Sequence, residues 1–79
     1  MKLQIKYFGL LAEKTGNSNE VLDVPEELIV SQLIEELETK YPPLTKGTYR
    51  VSHNQTLVDS DFIVQENAEI ALLPPFAGG

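Results

Sequence analysis

The first stretch of the chain alternates between apolar and polar residues. Leu3, Ile5 and Tyr7 are separated by polar positions, and this two-residue period predicts a strand with one buried face. Phe8 falls on the polar side of the alternation, so we expect its ring on the face opposite the core.

The clearest element is a helix in the middle of the chain. One apolar stripe with a period near 3.6 residues indicates a helix with one buried face, and its members are Val30, Leu33, Ile34, Leu37 and Tyr41. The opposite, solvent side is expected to carry Gln32, Glu35, Glu36 and Glu38. The proline pair 42–43 is expected to end the helix, because a residue before proline is pushed out of the helical region.

Shorter apolar runs bounded by turn residues predict a helical turn at 10–14 and strands at 20–24, 48–53, 56–58 and 69–73. The first two strands of the chain are expected to pair antiparallel. Asn54 and Gln55 form a predicted tight turn, and Asn67 is the residue in its loop best able to adopt a left-handed conformation. The core is also expected to include Tyr49, Val51, Ile70 and Leu72. The pattern predicts an α+β domain with one sheet layer and one helix layer.

Composition narrows the class of protein. The chain has 79 residues, 42% of them hydrophobic, which predicts one globular domain. It has no cysteine, so neither disulfides nor thiolate metal sites are available. A net charge of −6 argues against a nucleic-acid partner and is compatible with either a basic partner protein or plain solubility. With neither a secretory signal nor a membrane-spanning run expected, we predict a cytoplasmic location.

Three polar residues are expected to play no catalytic or metal-binding part. His53 stands at the end of a predicted strand without a neighbouring nucleophile, which favours a surface or pairing role. Asp59 and Asp61 lack the remaining ligands of a cation loop and are interpreted as turn formers, so no metal is expected. The glycines lack a phosphate-binding spacing, so we expect the chain not to bind ATP itself.

The chain ends in the unusual segment formed by Pro74, Pro75, Phe76, Ala77, Gly78 and Gly79. We therefore predict a domain over residues 1–73 and an extended tail over residues 74–79. Six extended residues reach roughly 20 Å, enough to enter a pocket in another protein. The prolines have little conformational freedom to lose on binding, and the side-chain-free glycines fit a narrow channel. The terminal carboxylate becomes reactive only after activation, for example by adenylation.

At this ending the chain resembles the small subunits of molybdopterin synthase, a family of ubiquitin-like β-grasp sulfur carriers. The segment 72–79, the stretch 54–58 and the opening pair Tyr7-Phe8 followed by Glu13 and Gly16 all resemble that family. The resemblance implies a β-grasp fold, with a mixed sheet, the first and last strands adjacent and one main helix packed across them. It also implies a subunit that carries sulfur for a sulfurtransferase whose active site lies on the large subunit.

The same resemblance implies a chemistry centred on Gly79. An ATP- and magnesium-using, E1-like enzyme adenylates its carboxylate, and a sulfur donor protein supplies the sulfur of a terminal thiocarboxylate. Gly78 and Gly79 then enter the large subunit, in a heterotetramer of two small and two large chains, and the sulfur passes to cyclic pyranopterin monophosphate in molybdenum cofactor biosynthesis. The carrier itself binds no cofactor.

Strand parity adds a predicted docking patch. Phe8 and Leu73 face away from the core side of their strands, and adjacent outer strands would bring them together, with Leu57 nearby. Exposed apolar residues beside a working tail indicate partner binding, and the family uses these positions against its large subunit. The prolines and residues 76–77 are expected to contact the partner as well. The alternative is that one or more of these residues fills a second small core.

Three alternative functions remain open from the sequence. A sulfur carrier of another pathway, such as thiamine thiazole synthesis, shares the fold and chemistry. A ubiquitin-like protein modifier begins with the same adenylate but joins Gly79 to lysines of its targets. A plain interaction module would carry an inert tail.

Overall fold

The computed structural model describes residues 1–45 and 48–75. Its strands are β1 (Lys2–Tyr7), β2 (Asn19–Asp23), β3 (Arg50–His53), β4 (Thr56–Leu57) and β5 (Glu69–Leu73), and its helices are α1 (Leu10–Thr15) and α2 (Val30–Lys40).

The five strands form one mixed sheet in the order β2-β1-β5-β3-β4. β1 pairs antiparallel with β2 and parallel with β5, and β3 pairs antiparallel with both β5 and β4. The parallel pair needs a long crossover between β1 and β5, and that crossover carries α2. The predicted antiparallel pairing of the first two strands and the predicted adjacency of the first and last strands are both confirmed.

Helix α2 supplies the second layer. Its residues Leu33 and Leu37 are fully buried, and the apolar stripe that predicted the helix faces the sheet. The helix begins after Ile29, whose backbone N–H donates to Oε1 of Gln32 at 3.0 Å and so satisfies one of the free donors at the helix start. It ends at Lys40, ahead of the two prolines, as predicted.

The core lies between α2 and one face of the sheet. Its fully buried members come from β1, α2 and β5, and they are Leu3, Ile5, Leu33, Leu37, Ile70 and Leu72. Tyr49 and Val51 also join the core, as their shared strand face predicted. One expectation for the solvent face of α2 is wrong: Glu38 is half-buried, and its Oε2 accepts a hydrogen bond from the Tyr49 hydroxyl at 2.6 Å.

Predicted element ends differ from the observed ones by one or two residues. The third strand begins at Arg50 rather than at residue 48, because Arg50 is opposite Leu73, the last residue of β5. The second strand runs from Asn19 to Asp23 rather than over 20–24, since its pairing spans Lys6 to Lys2 of β1.

Two short elements also end differently. The strand predicted over 56–58 stops at Leu57, the partner of Ser52. Helix α1 extends one residue beyond the predicted turn, because the Thr15 hydroxyl donates to the Leu11 carbonyl at 3.0 Å and Gly16 closes the helix in a left-handed conformation.

The predicted turn chemistry is confirmed. Asn54 and Gln55 both have positive φ, 50° and 72°, as a two-residue hairpin turn with the right twist requires. Asn67 has φ 60°, the left-handed conformation expected of it. Glu27, also at φ 60°, was not predicted from the sequence.

A polar cluster, defined here as Tyr7, Glu20, Lys40 and Tyr41, joins the sheet to the end of α2. The Glu20 carboxylate accepts hydrogen bonds from the hydroxyls of Tyr7 and Tyr41 at 2.6 and 2.5 Å, and from Nζ of Lys40 at 2.8 Å. Burial alone would raise the pKa of Glu20, but these three bonds outweigh it and hold that pKa below its ordinary value. Burial and the carboxylate raise the pKa of Tyr7. The cluster therefore favours a charged Glu20 and neutral tyrosines.

Within the described ranges, no helix is long and apolar enough to cross a membrane. The cytoplasmic location stays a prediction.

Candidate functional site

The register of the sheet brings Phe8, Leu57 and Leu73 to one face. Lys6 and Tyr7 are opposite Ala71 and Leu72, so Phe8 follows beside Leu73, and its N–H donates to the Leu72 carbonyl at 3.2 Å. All three side chains line the same cleft on the sheet face that α2 does not cover. The juxtaposition predicted from strand parity is confirmed.

The cleft has a volume of about 370 Å³. Phe8 is 46% exposed and Leu57 is 50% exposed, so neither fills a second core in the isolated chain. Together with half-buried Leu73 they form what we call the apolar patch. Exposure of large apolar residues at one place indicates an interaction surface. Partner binding by these three residues stays a prediction.

Two small residues at the base of the cleft were missed from the sequence. Ser52 and Ala71 are paired in the sheet, are buried, and line the cleft between the larger side chains. Their small size leaves the cleft open. The position of Ala71 could have been predicted from the alternation of the strand, because Ala71 lies between the core residues Ile70 and Leu72 and so points to the outer face.

The charged residues beside the apolar patch are not predominantly acidic. Lys6 and Glu69 form an ion pair at 3.2 Å across β1 and β5, and Arg50 is opposite Leu73 in the register. Many of the exposed acidic residues of the chain lie elsewhere, on α2 and the loops beside it. The net charge of −6 is therefore not concentrated around the patch.

The tail leaves the sheet next to the patch. β5 ends at Leu73, and Pro74 follows against the connection between β1 and α1. Gly9 there has φ 58°, and a Cβ on it would lie 3.3 Å from Cγ of Pro74, so a side chain would crowd the proline. Phe76, Ala77, Gly78 and Gly79 lie outside the described residues, and the roles assigned to them stay predictions.

The polar residues set aside from the sequence form no second site. Of the surface and pairing roles expected for His53, the structure shows the pairing role. The residue is buried, its Nε2 accepts a hydrogen bond from the Gln65 N–H at 3.1 Å, and its ring centroid lies 4.7 Å from that of Phe62. Asp59 lies in a turn, where its carbonyl accepts from the Phe62 N–H. Among the residues the structure describes, no group of three acidic, histidine or cysteine side chains could hold a metal ion.

A mixed five-stranded sheet, one main helix packed across it and an apolar patch at the root of a glycine-ended tail define a β-grasp, ubiquitin-like protein. The ThiS family model matches residues 5–79. The chain belongs to the ThiS family.

Curated relatives match over nearly the whole chain. The human molybdopterin synthase sulfur carrier subunit is 32% identical, over 99% of this chain and 94% of its own. The protein of the same name from Mycobacterium tuberculosis is 29% identical, over 100% and 99%.

Solved structures show the same fold. SAMP1, a small archaeal modifier protein from Haloferax volcanii, superposes with a TM-score of 0.85 at 24% identity, over 100% of both chains. A chain from the complex of subunits 1 and 2 of the molybdopterin-converting factor of Helicobacter pylori gives a TM-score of 0.72 at 23% identity, again over 100% of both chains.

Proposed function

We propose that this chain is the sulfur carrier subunit of a molybdopterin synthase. The observation that carries the proposal is the end-to-end match, at 32% identity, to a relative named as that subunit. The position of the apolar patch at the end of β5, where the tail begins, supports it, because a carrier must dock its domain and deliver its terminus to the same partner.

The proposed chemistry takes place at the carboxylate of Gly79. A carboxylate oxygen attacks the α-phosphorus of ATP on a separate, E1-like activating enzyme that holds the nucleotide and its magnesium, and pyrophosphate leaves. Hydrosulfide, or an equivalent sulfur nucleophile from a donor protein, then attacks the carbonyl carbon, and AMP leaves. The product is a thiocarboxylate whose sulfur is a good nucleophile at neutral pH. In the large subunit this sulfur attacks a carbon of cyclic pyranopterin monophosphate, and an oxygen substituent of that carbon leaves. Water then cleaves the acyl carbon–sulfur bond, so the sulfur stays on the pterin and the carboxylate is restored.

The residues of this chain position the tail rather than catalyse the transfer. The patch residues Phe8, Leu57 and Leu73 bind the large subunit, and Pro74 and Pro75 keep the tail extended at little entropic cost. Residues 76–77 contact the channel, and Gly78 and Gly79 pass through its narrowest part. The complex of subunits 1 and 2 named for the H. pylori protein supports a large-subunit partner. We propose two small and two large chains per complex.

The direct test is the mass of the C-terminal peptide. The purified chain is incubated with its activating enzyme, ATP, magnesium and sulfide, and the terminus is trapped with iodoacetamide. We expect the mass of Gly79 to rise by the difference between sulfur and oxygen, together with one alkylation. A variant that lacks Gly79 is the matched control and should show neither change. An unmodified wild-type terminus under these conditions would refute the carrier mechanism.

The alternative fates of the terminus are distinguished by what becomes of the activated group. A protein modifier would form conjugates through Gly79 that migrate above the free chain on a denaturing gel. A carrier for another pathway would gain the thiocarboxylate but fail to convert cyclic pyranopterin monophosphate when mixed with the large subunit. An inert tail would leave function intact after deletion of Gly78 and Gly79.

A further inference from the structure

The two edges of the sheet are built differently. β4 forms one edge with only two residues, Thr56 and Leu57. β2 forms the other edge with five residues paired in unbroken register to β1. Natural proteins protect edge strands with lysine, proline, bulges or short length. β2 (Asn19–Asp23) has no lysine, proline or bulge, and its two charged side chains, Glu20 and Asp23, are paired within this chain. Its edge is therefore regular, and another strand can pair with it.

The backbone groups available on β2 follow from its pairing. The Val24 N–H donates to the Met1 carbonyl, and the Ser18 carbonyl accepts from the Tyr7 N–H, so both residues direct their backbone groups toward β1. Because this direction alternates along a strand, Asn19, Val21 and Asp23 direct their N–H and C=O groups away from the sheet. Within the described part of the chain, the hydrogen bonds outside the ladders include no backbone bond from these three residues.

A groove runs between this edge and α2. Its volume is about 440 Å³. Half-buried Leu22 supplies accessible apolar lining, whereas Leu37 below it is fully buried, and the carboxylates of Glu35 and Glu36 lie along the helix side of the groove. Side chains on the helix side of an added strand would therefore meet an apolar base with an acidic side. On the other face of the sheet such a strand would meet Val21, which is 67% exposed.

Charge decides which occupant fits. Lys40, the basic residue lining the groove, is already paired with Glu20 at 2.8 Å. Asp23 is also paired, with the Met1 ammonium at 3.7 Å and with Nζ of Lys2 at 3.8 Å. The carboxylates of Glu35 and Glu36 therefore remain, on a chain whose net charge is −6. A second copy of this chain would bring two acidic grooves together and is disfavoured by like-charge repulsion. A basic strand would be attracted.

We propose that the edge of β2 and the groove beside α2 bind an extended, basic segment of a partner protein by strand addition. The backbone of that segment pairs with Asn19, Val21 and Asp23, one apolar side chain enters the groove, and lysine or arginine side chains meet Glu35 and Glu36. This surface lies at the edge of the sheet opposite β4, and the residues that line its groove are different from those of the apolar patch. The inference rests on the sheet edge and does not depend on the sulfur-carrier chemistry.

The test uses the full chain and a capped hexapeptide of alternating lysine and valine. Amide chemical shifts and amide hydrogen exchange are recorded by NMR during titration. We expect shift changes along β2 and the facing side of α2, and slower exchange of the Asn19, Val21 and Asp23 amides. A peptide with glutamate in place of lysine should leave β2 unchanged.

Two sets of variants separate strand addition from nonspecific attraction. The double variant E35K/E36K should weaken binding of the lysine peptide about tenfold, as expected for two reversed surface ion pairs. The double variant E13K/E66K changes the net charge equally at exposed positions outside the groove and should change binding less than about twofold. V21P removes the middle outward-facing donor but no bond to β1, so it should abolish binding and leave the core resonances unchanged.

Three results would overturn the inference. One is a set of shift changes centred on Phe8, Leu57 and Leu73, which would assign the peptide to the apolar patch. Another is equal weakening by the two charge-reversal variants, which would reduce the effect to net charge. The third is self-association of the wild-type chain through β2 in sedimentation experiments, lost in V21P, because the occupant would then be a second copy.

Discussion

Removal of the Glu20 carboxylate should destabilise the domain more than its surface position on an edge strand suggests. Glu20 accepts two tyrosine hydroxyl bonds and one lysine bond, and its side chain is 15% exposed. In Glu20→Ala the Tyr7 hydroxyl would lose its acceptor, on a residue that is only 3% exposed. The Tyr41 hydroxyl still accepts a bond from Asn17 at 3.0 Å, and Lys40 can turn to solvent.

The magnitude follows from those three bonds. A buried donor left without a partner costs about 1–3 kcal/mol. Loss of the hydrogen bond from the Tyr41 hydroxyl adds about 1 kcal/mol. Loss of the ion pair with half-exposed Lys40 adds about 0.5 kcal/mol after solvent screening. We expect Glu20→Ala to lower the free energy of unfolding by about 3 kcal/mol in total, and the melting temperature by roughly 15 °C for a domain of this size.

Urea unfolding followed by circular dichroism measures this loss. Glu20→Gln is the matched control, because its amide oxygen can still accept from a tyrosine, and it should lose about 1–2 kcal/mol. Combined with Tyr7→Phe, Glu20→Ala should be non-additive by about 1 kcal/mol, since both variants remove the same bond. A loss below about 1 kcal/mol in Glu20→Ala, or full additivity with Tyr7→Phe, would refute the reasoning.

The cluster also predicts a dependence of stability on pH. Because the pKa of Glu20 is lowered in the folded state, the unfolded chain binds its proton first as the pH falls. The contribution of Glu20 is therefore fully present above the ordinary glutamate pKa, near 4.3, and is lost as the pH falls through the lower folded-state pKa. The difference in unfolding free energy between wild type and Glu20→Gln should shrink over that acidic range. A difference that stays constant down to about pH 2 would contradict the shift.

Three further substitutions separate binding, packing and backbone effects. Phe8→Ser, at a half-exposed position, should leave the melting temperature within about 3 °C of wild type while weakening association with the large subunit at least about tenfold by calorimetry. Leu33→Ala should cost about 2–5 kcal/mol because the side chain is fully buried, whereas Leu10→Ala, at 65% exposure, should cost less than about 0.5 kcal/mol in the same denaturation assay. Gly16→Ala should cost about 1 kcal/mol, because Gly16 closes α1 with φ 75°, and an unchanged denaturation midpoint would contradict that strain.

The apolar face of each main element could be predicted from the sequence, because it depends only on the spacing of apolar residues along the strand or helix. Alternation placed Phe8 on the outer face, and the same rule placed Leu73 opposite the core. The adjacency of β1 and β5, in contrast, was implied by the family resemblance. The local sequence pattern does not identify a partner strand more than 60 positions away along the chain, because the pattern reflects only which face of a strand is buried and not which strand lies beside it.

Polar residues were harder to interpret than apolar ones. His53 was expected in a surface or pairing role, and it is buried and paired with Gln65. Glu38 was expected on the solvent face of α2, yet it is half-buried and bonded to Tyr49. A polar side chain can be buried wherever the fold supplies a partner, and that partner becomes known only once the register is known. The groove beside β2 was missed for the same reason, since its lining residues come from an edge strand and a helix whose relative position the sequence pattern does not give.

The residues that hold the domain together and those that form its surfaces are different sets. The core uses the helix side of the sheet, whereas the apolar patch uses the outer face and the acidic groove uses the opposite edge from β4. A substitution in either surface can therefore change binding without lowering the free energy of unfolding. A Phe8 variant that fails to bind the large subunit but has the melting temperature of wild type would therefore identify Phe8 as a contact residue. Variants of β2 should leave binding of the large subunit unchanged.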